Sequence, residues 1–217
     1  MIKLFYTHFK SPLPASLFDT YLSYLPDQLK AKNACYKRWQ DRMAHLLGKM
    51  LLLKALRSYK YPANALNNLV YDDNKRPGIN DKIDFNISHS GSYVICAIAE
   101  GIHLGIDIEA INPVDFGDFT ITMTEKEWLE IEGAENPIKS FFRYWTIKES
   151  VIKADGRGLG IPLRDIRIEN NRAQVGEKKW YLKECSIDPE YSCFLAADMP
   201  LETAPLVFNY CRMHELV

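Results

Sequence analysis

The stretch Gly105-Ile106-Asp107-Ile108-Glu109 constrains the fold most. Read with a period of two, it is a β-strand with Ile106 and Ile108 on one face and Asp107 and Glu109 on the other. The apolar face belongs against a core. The acid face carries two carboxylates about 7 Å apart along the strand. Like charges at that spacing are mildly destabilising unless a cation sits between them. A hard divalent ion held by one or two carboxylates and completed by phosphate oxygens and water suits such a face. Taken alone, a D-x-E pair is better explained by a solvated strand surface, since such pairs are common by chance.

A second polar cluster lies forty residues on. In Trp145-Thr146-Ile147-Lys148-Glu149-Ser150-Val151-Ile152-Lys153, the apolar Trp145 and Ile152 continue a helical stripe begun by Phe141 and Phe142. Glu149 and Lys153 are four residues apart and share a helix face. They make either a surface ion pair worth ~0.3–0.5 kcal/mol, or a third carboxylate and a cation for the acidic strand.

The 217 residues can bury a core as one domain or two small ones. A 47% apolar and 25% charged composition is that of a soluble globular chain, with no run near the ~20 apolar residues that cross a bilayer. Met1–Tyr6 is predicted to be a short strand without the plan of a signal peptide. Cysteines 35, 96, 185, 193 and 211 form no C-x-x-C pair and read as reduced thiols in a cytoplasmic protein. The five histidines are scattered, which argues against zinc.

Residues 13–60 are predicted helical, interrupted at Pro26, with Trp39, Met43, Leu46, Met50 and Leu53 as the apolar stripe of the longer helix. Between Lys30 and Lys60 stand nine basic residues against Asp41 alone. That segment is locally +8, and the rest of a chain of formal charge −1 carries −9. Such a patch attracts phosphates or an acidic partner. The overall balance and the lack of a nucleic-acid-binding module argue against nucleic acid.

Asp72 to Gly78 is a turn that presents Lys75 and Arg76 before Pro77-Gly78. Asp84 to Ser92 follows as a strand ending in Ser88-His89-Ser90-Gly91, whose hydroxyls, imidazole and backbone N–H groups suit an anion. Tyr93–Ala99 is expected to be a buried strand turning at Glu100-Gly101 into Leu104–Glu109, which would set the Ser-His corner and the carboxylates on neighbouring strands. We place a boundary at Asn112-Pro113, giving an N-terminal half (1–112) and a C-terminal half (113–217). The second half opens with a capping box at Thr124–Glu127, then a helix over Phe141–Ala154 closed by Gly156-Arg157-Gly158. Strands are predicted at Ile166–Glu169, Trp180–Lys183, Tyr191–Ala197 and Leu206–Arg212. Helices then strands, twice over, describe an α+β chain of two similar halves.

F-N-I-S-H-S-G, G-I-D-I-E and W-T-I-K-E-S-x-x-K followed by G-x-G-L, in that order and spacing, resemble the 4′-phosphopantetheinyl transferase superfamily, in particular its monomeric type that activates surfactin synthetase. The resemblance spans residues 75–163. It implies a pseudo-twofold fold of two α/β halves with the active site between them. It also implies transfer of 4′-phosphopantetheine from coenzyme A, the co-substrate, to a serine of an apo acyl or peptidyl carrier protein, releasing 3′,5′-ADP. By the same resemblance Asp107, Glu109 and Glu149 surround Mg²⁺, and Lys148 and Lys153 hold phosphate oxygens. Ser88 and His89 contact the nucleotide end with its 3′-phosphate. Lys75 and Arg76 stand at the family's G-K-P turn, Arg replacing Lys before Pro77. The first-helix arginine is Ala44 here, with Arg42 and His45 beside it. Glu149 is the candidate base, acting directly or through a water on the metal, with Lys153 beside it. An acidic carrier would suit the basic 30–60 segment. Two other readings use the same residues: a Mg²⁺-dependent phosphohydrolase and a non-catalytic coenzyme A or nucleotide-binding module.

Overall fold

A computed structural model describes residues 1–80, 82–202 and 204–216, and of Leu159 the backbone alone. Among the described residues, eleven strands and five α-helices fall in two compact units, Met1–Gly101 with Leu206–Val217, and Ile102–Pro205. The fold is α+β.

The first unit holds β1 (Ile2–His8), α1 (Ala15–Ser23), α2 (Asp27–Cys35), α3 (Trp39–Arg57), β2 (Val70–Tyr71), β3 (Pro77–Gly78), β4 (Ile83–Ser90), β5 (Tyr93–Glu100) and, from the end of the chain, β11 (Leu206–Tyr210). Its main sheet runs β11-β1-β5-β4, with β11 parallel to β1 and the other pairs antiparallel. β5 is central, which its nearly unbroken apolar sequence Tyr93-Val-Ile-Cys-Ala-Ile-Ala demands, since a strand covered on both faces has no polar side. Helix α3 packs on one face through Met43, Leu46, Met50 and Leu53, all at most 2% exposed, against Phe5, Phe85, Val94, Cys96 and Ile98. Trp39, the first residue of the expected stripe, is instead 38% exposed and meets the ring of Phe9 edge-on. Gly48 permits the close approach of α3: a Cβ there would lie 3.1 Å from Ile87 Cγ2 on β4.

The second unit contains β6 (Leu104–Ala110), α4 (Glu125–Glu132), α5 (Pro137–Asp155), β7 (Arg167–Glu169), β8 (Arg172–Val175), β9 (Lys178–Glu184) and β10 (Tyr191–Ala197). The sheet order is β6-β10-β9-β8-β7, antiparallel throughout. Thr124 and Glu127 form the capping box of α4, each side chain bonding the other's backbone N–H. Asn136 caps α5 through Lys139 N–H, Pro137 occupies its first turn, and Gly156 ends it at φ 84°. Ile147, Val151, Trp180, Leu182 and Phe194 fill the space between α5 and the sheet. A second cluster of Met123, Ile131 and Phe141, with Trp128 and Trp145 packed against it, ties α4 to α5.

One expectation is corrected by the strand pairing, and one strand lies where none is predicted. β6 does not neighbour β4 or β5: both edges of β5 are taken, by β1 and β4, so β6 pairs with β10 in the other sheet. The short β8 was not anticipated, because Arg172-Ala-Gln-Val lies between the turns at Asn170 and Gly176, both at positive φ, and offers two apolar residues. The sequence places one boundary at 112/113. Contacts divide the chain at 101/102 and again at 205/206, because β6 pairs with β10 and β11 with β1. All five cysteines are free thiols. Among the described residues no helix is long and apolar enough to cross a membrane.

Candidate active site

In the second unit, β6 presents Gly105, Asp107 and Glu109 toward α5. Gly105 fixes the spacing: a Cβ at this position would overlap the backbone of Ser150 and Ala154 and lie 2.9 Å from Ala154 Cα. The helix therefore crosses the strand in backbone contact, and a residue larger than glycine would push it away. This crossing brings the last turns of α5 onto the acid face. Lys153 Nζ donates to Asp107 Oδ1 at 2.6 Å, with Asp107 only 2% exposed. Glu149, one turn earlier, has its pKa raised, first by burial and then by the Asp107 carboxylate, with Lys153 opposing. Across the sheet Asp107 is paired with Phe194, whose ring carries the Arg143 guanidinium at 5.4 Å.

Among the described residues no three His, Cys, Asp or Glu side chains are gathered as a ready metal site. The donor chemistry nonetheless fits a hard divalent cation. The available atoms are carboxylate oxygens, and the charge of Asp107 already disfavours ionisation of Glu149, a repulsion a cation would relieve. Glu109 extends the same strand face, half-buried and opposite Ser192.

Lys148 is placed away from that face. Its side chain is fully buried, and its ammonium donates to Glu127 Oε2 at 2.7 Å and to the carbonyls of Thr122 and Leu163 at 3.1 Å each. All three of its protons are used inside the unit. Adjacent residues on a helix point about 100° apart, so Lys148 and Glu149 cannot both face β6. Glu127 serves twice, in the capping box and as the partner of Lys148. The capping box was legible in the sequence; the ion pair between residues 21 apart was not.

In the first unit, the turn holding Lys75 and Arg76 joins β2 to β3. Lys75 is exposed, at φ 63°. Arg76 clamps Asp84 of β4 with both guanidinium nitrogens, at 2.8 and 2.9 Å. Ser88 and His89 are neighbours on β4 and so point to opposite faces. Ser88 is buried, whereas exposed His89 lies on the α3 side, within electrostatic reach of His45. Of the two first-helix candidates, Arg42 lies over the Phe18 ring at 5.2 Å, and His45 is held by Asn33.

The second unit of this α+β protein thus sets an acid-bearing strand in backbone contact with a helix that carries Glu149 and Lys153. The family model of the 4′-phosphopantetheinyl transferase superfamily matches residues 103–204, nearly the whole second unit. The chain is 32% identical over 188 residues to the 4′-phosphopantetheinyl transferase gsp of Aneurinibacillus migulanus, covering 85% of this chain and 78% of that protein. It is 28% identical over 211 residues to the 4′-phosphopantetheinyl transferase Sfp of Bacillus subtilis (strain 168), covering 92% and 93%. A human L-aminoadipate-semialdehyde dehydrogenase-phosphopantetheinyl transferase is 29% identical over 143 residues, 54% of this chain and 46% of that one. This chain belongs to the 4′-phosphopantetheinyl transferase superfamily.

Proposed function

We propose that this protein transfers the 4′-phosphopantetheine group of coenzyme A to a serine of an apo acyl or peptidyl carrier protein, giving holo-carrier and 3′,5′-ADP. One observation carries the reading onto particular residues: Lys153 bound across Asp107, with Glu149 one turn away on the same helix.

In this reading Asp107, Glu109 and Glu149 would hold Mg²⁺, which would supply charge neutralisation for the phosphate oxygens. The serine oxygen bonds to the β-phosphorus, the bond from that phosphorus to the bridging oxygen breaks, and 3′,5′-ADP leaves. Glu149 takes the serine proton. Lys153 orients Asp107 and neutralises phosphate charge. Ser88, His89 and Lys75 serve the nucleotide end. The clamp of Arg76 on Asp84 leads us to give Arg76 the task of holding the turn that presents Lys75. The filled surroundings of Lys148 lead us to give it an internal role in place of a phosphate contact. The basic 30–60 segment receives an acidic carrier. The protein acts in the cytoplasm as a monomer, with neither nucleic acid nor membrane as partner.

Intact mass spectrometry tests this on an apo carrier incubated with the protein, coenzyme A and Mg²⁺. The expected result is a gain equal to phosphopantetheine that EDTA prevents. Glu149→Gln should abolish the gain while coenzyme A still binds. Absence of any gain on several acyl and peptidyl carriers, despite measured coenzyme A binding, would leave a binding module. Normal turnover by Glu149→Gln would exclude Glu149 as the base.

A further inference from the structure

Helix α5 ends on an acid. Asp155 is its last residue, where a carboxylate opposes the helix dipole, and its side chain is wholly buried. Burial raises its pKa, but hydrogen bonds from Arg157 and Lys178 outweigh that and hold the carboxyl below the ordinary carboxylate range, so it is ionised. Arg157 Nε donates to Oδ1, while Arg157 Nη2 and Lys178 Nζ each reach Oδ2 at 3.2 Å. Among the described residues neither cation pairs with another acid. Two exposed cations are thus drawn onto one buried carboxylate.

This clamp sits on the turn of α5 that also makes the Asp107 contact. Ala154 is a residue whose backbone meets Gly105 of β6. On a helix its two neighbours point about 100° to either side of it. Lys153 on one side donates to Asp107 of β6, and Asp155 on the other accepts from Lys178, the first residue of β9. Both β6 and β9 pair with β10, so the turn is tied twice to one sheet. Gly156, at φ 84°, carries the chain out of the helix directly afterwards. A helix end lacks the hydrogen bonds that hold its middle, and it frays without outside partners. Arg157 and Lys178 supply such partners here.

We infer that Asp155 is a positioning residue for the transfer reaction: held by Arg157 and Lys178, it fixes the last turn of α5 and thereby keeps Lys153 on Asp107. The inference rests on the proposed reading of Lys153 as the cation at the phosphates. The ion pair of Lys153 alone would let the turn rotate about a single contact. A second contact on the opposite side of the helix removes that rotation, and such pre-set geometry is what a charge-stabilising lysine needs.

Hydrogen exchange read by mass spectrometry, together with transfer to an apo carrier, tests this on the wild type, Asp155→Asn and Lys178→Met. Lys178 is exposed, so its replacement probes the clamp even where Asp155→Asn folds poorly. In both variants the amides of residues 152–156 should exchange about tenfold faster than in the wild type, with those of β6 unchanged. In Asp155→Asn kcat should fall about tenfold, as expected when one charge-assisted contact is lost, with KM for the carrier unchanged. In a Lys153→Met background the same substitution should leave the residual rate as it is, since no ammonium remains to be placed. Equal fold-losses in the two backgrounds would make Asp155 a general stabiliser of the unit and overturn the inference, as would unchanged exchange at the helix end. If the wild type modified no carrier, the transfer reading would fall and the role in transfer with it, whereas the exchange rates would still show whether the clamp fixes the turn.

Discussion

At the scale of single residues, the signature W-T-I-K-E-S-x-x-K divides its work between two sides of one helix. Glu149 and Lys153 face the acidic strand, while Lys148 points into the body of the second unit. Burial pulls the Lys148 pKa down and the hydrogen bond to Glu127 opposes it. Removing one member of such a pair leaves an uncompensated buried charge. Lys148→Met should therefore destabilise by roughly 3–5 kcal/mol. Urea denaturation should show a smaller loss in the double variant with Glu127→Gln, which removes the orphaned charge. Equal losses in the single and double variants would mean that the ion pair is not what matters there. His45 makes a pH prediction of opposite character. Its folded pKa, about 4, lies below the ordinary 6.5, so between these values the unfolded chain binds more protons. Stability should be complete above pH 6.5 and fall as pH drops toward 4. His45→Gln should flatten that part of the melting-temperature profile; an unchanged slope would assign the acid sensitivity to other groups.

At the scale of elements, both 19-residue helices meet their sheets at a glycine, and the two contacts differ in kind. Beneath α3, an added methyl at Gly48 meets the tip of the Ile87 side chain, which can shift. Beneath α5, an added methyl at Gly105 meets helix backbone, which cannot move without carrying Glu149 and Lys153 with it. Gly105→Ala should thus cost more than the ~1–3 kcal/mol usual for overpacking and abolish transfer. Gly48→Ala should stay at or below that range and keep most activity. Thermal melts and transfer rates on the two variants decide this, and comparable behaviour would show that the α5–β6 crossing is more compliant than its geometry indicates. The capping of α4 and α5 is local and was readable directly: T-E-K-E, N-P and a closing Gly each state a helix end in neighbouring residues.

At the scale of the whole molecule, charge is segregated along the chain, +8 in residues 30–60 against −9 elsewhere. If this segment receives an acidic carrier, the transfer rate should fall steadily as salt rises through the range where the screening length drops from ~10 Å at 0.1 M to ~3 Å at 1 M. A flat dependence would remove electrostatic docking. The sequence by itself determined the α+β class, the helix ends, the alternating acid and apolar faces of β6, the shared face of Glu149 and Lys153, and the superfamily. Each is written in residues at most a few positions apart, or in short motifs whose order survives without coordinates. Only the tertiary structure decided that β6 leaves β5 for β10, that β11 returns to β1, that Arg76 is taken by Asp84, and that Lys148 is spent on Glu127. It also brought Lys49, Lys32 and His45 within electrostatic reach of one another. These depend on which strand edges remain open and which charges meet after distant segments pack, and a linear pattern of period two or 3.6 carries neither.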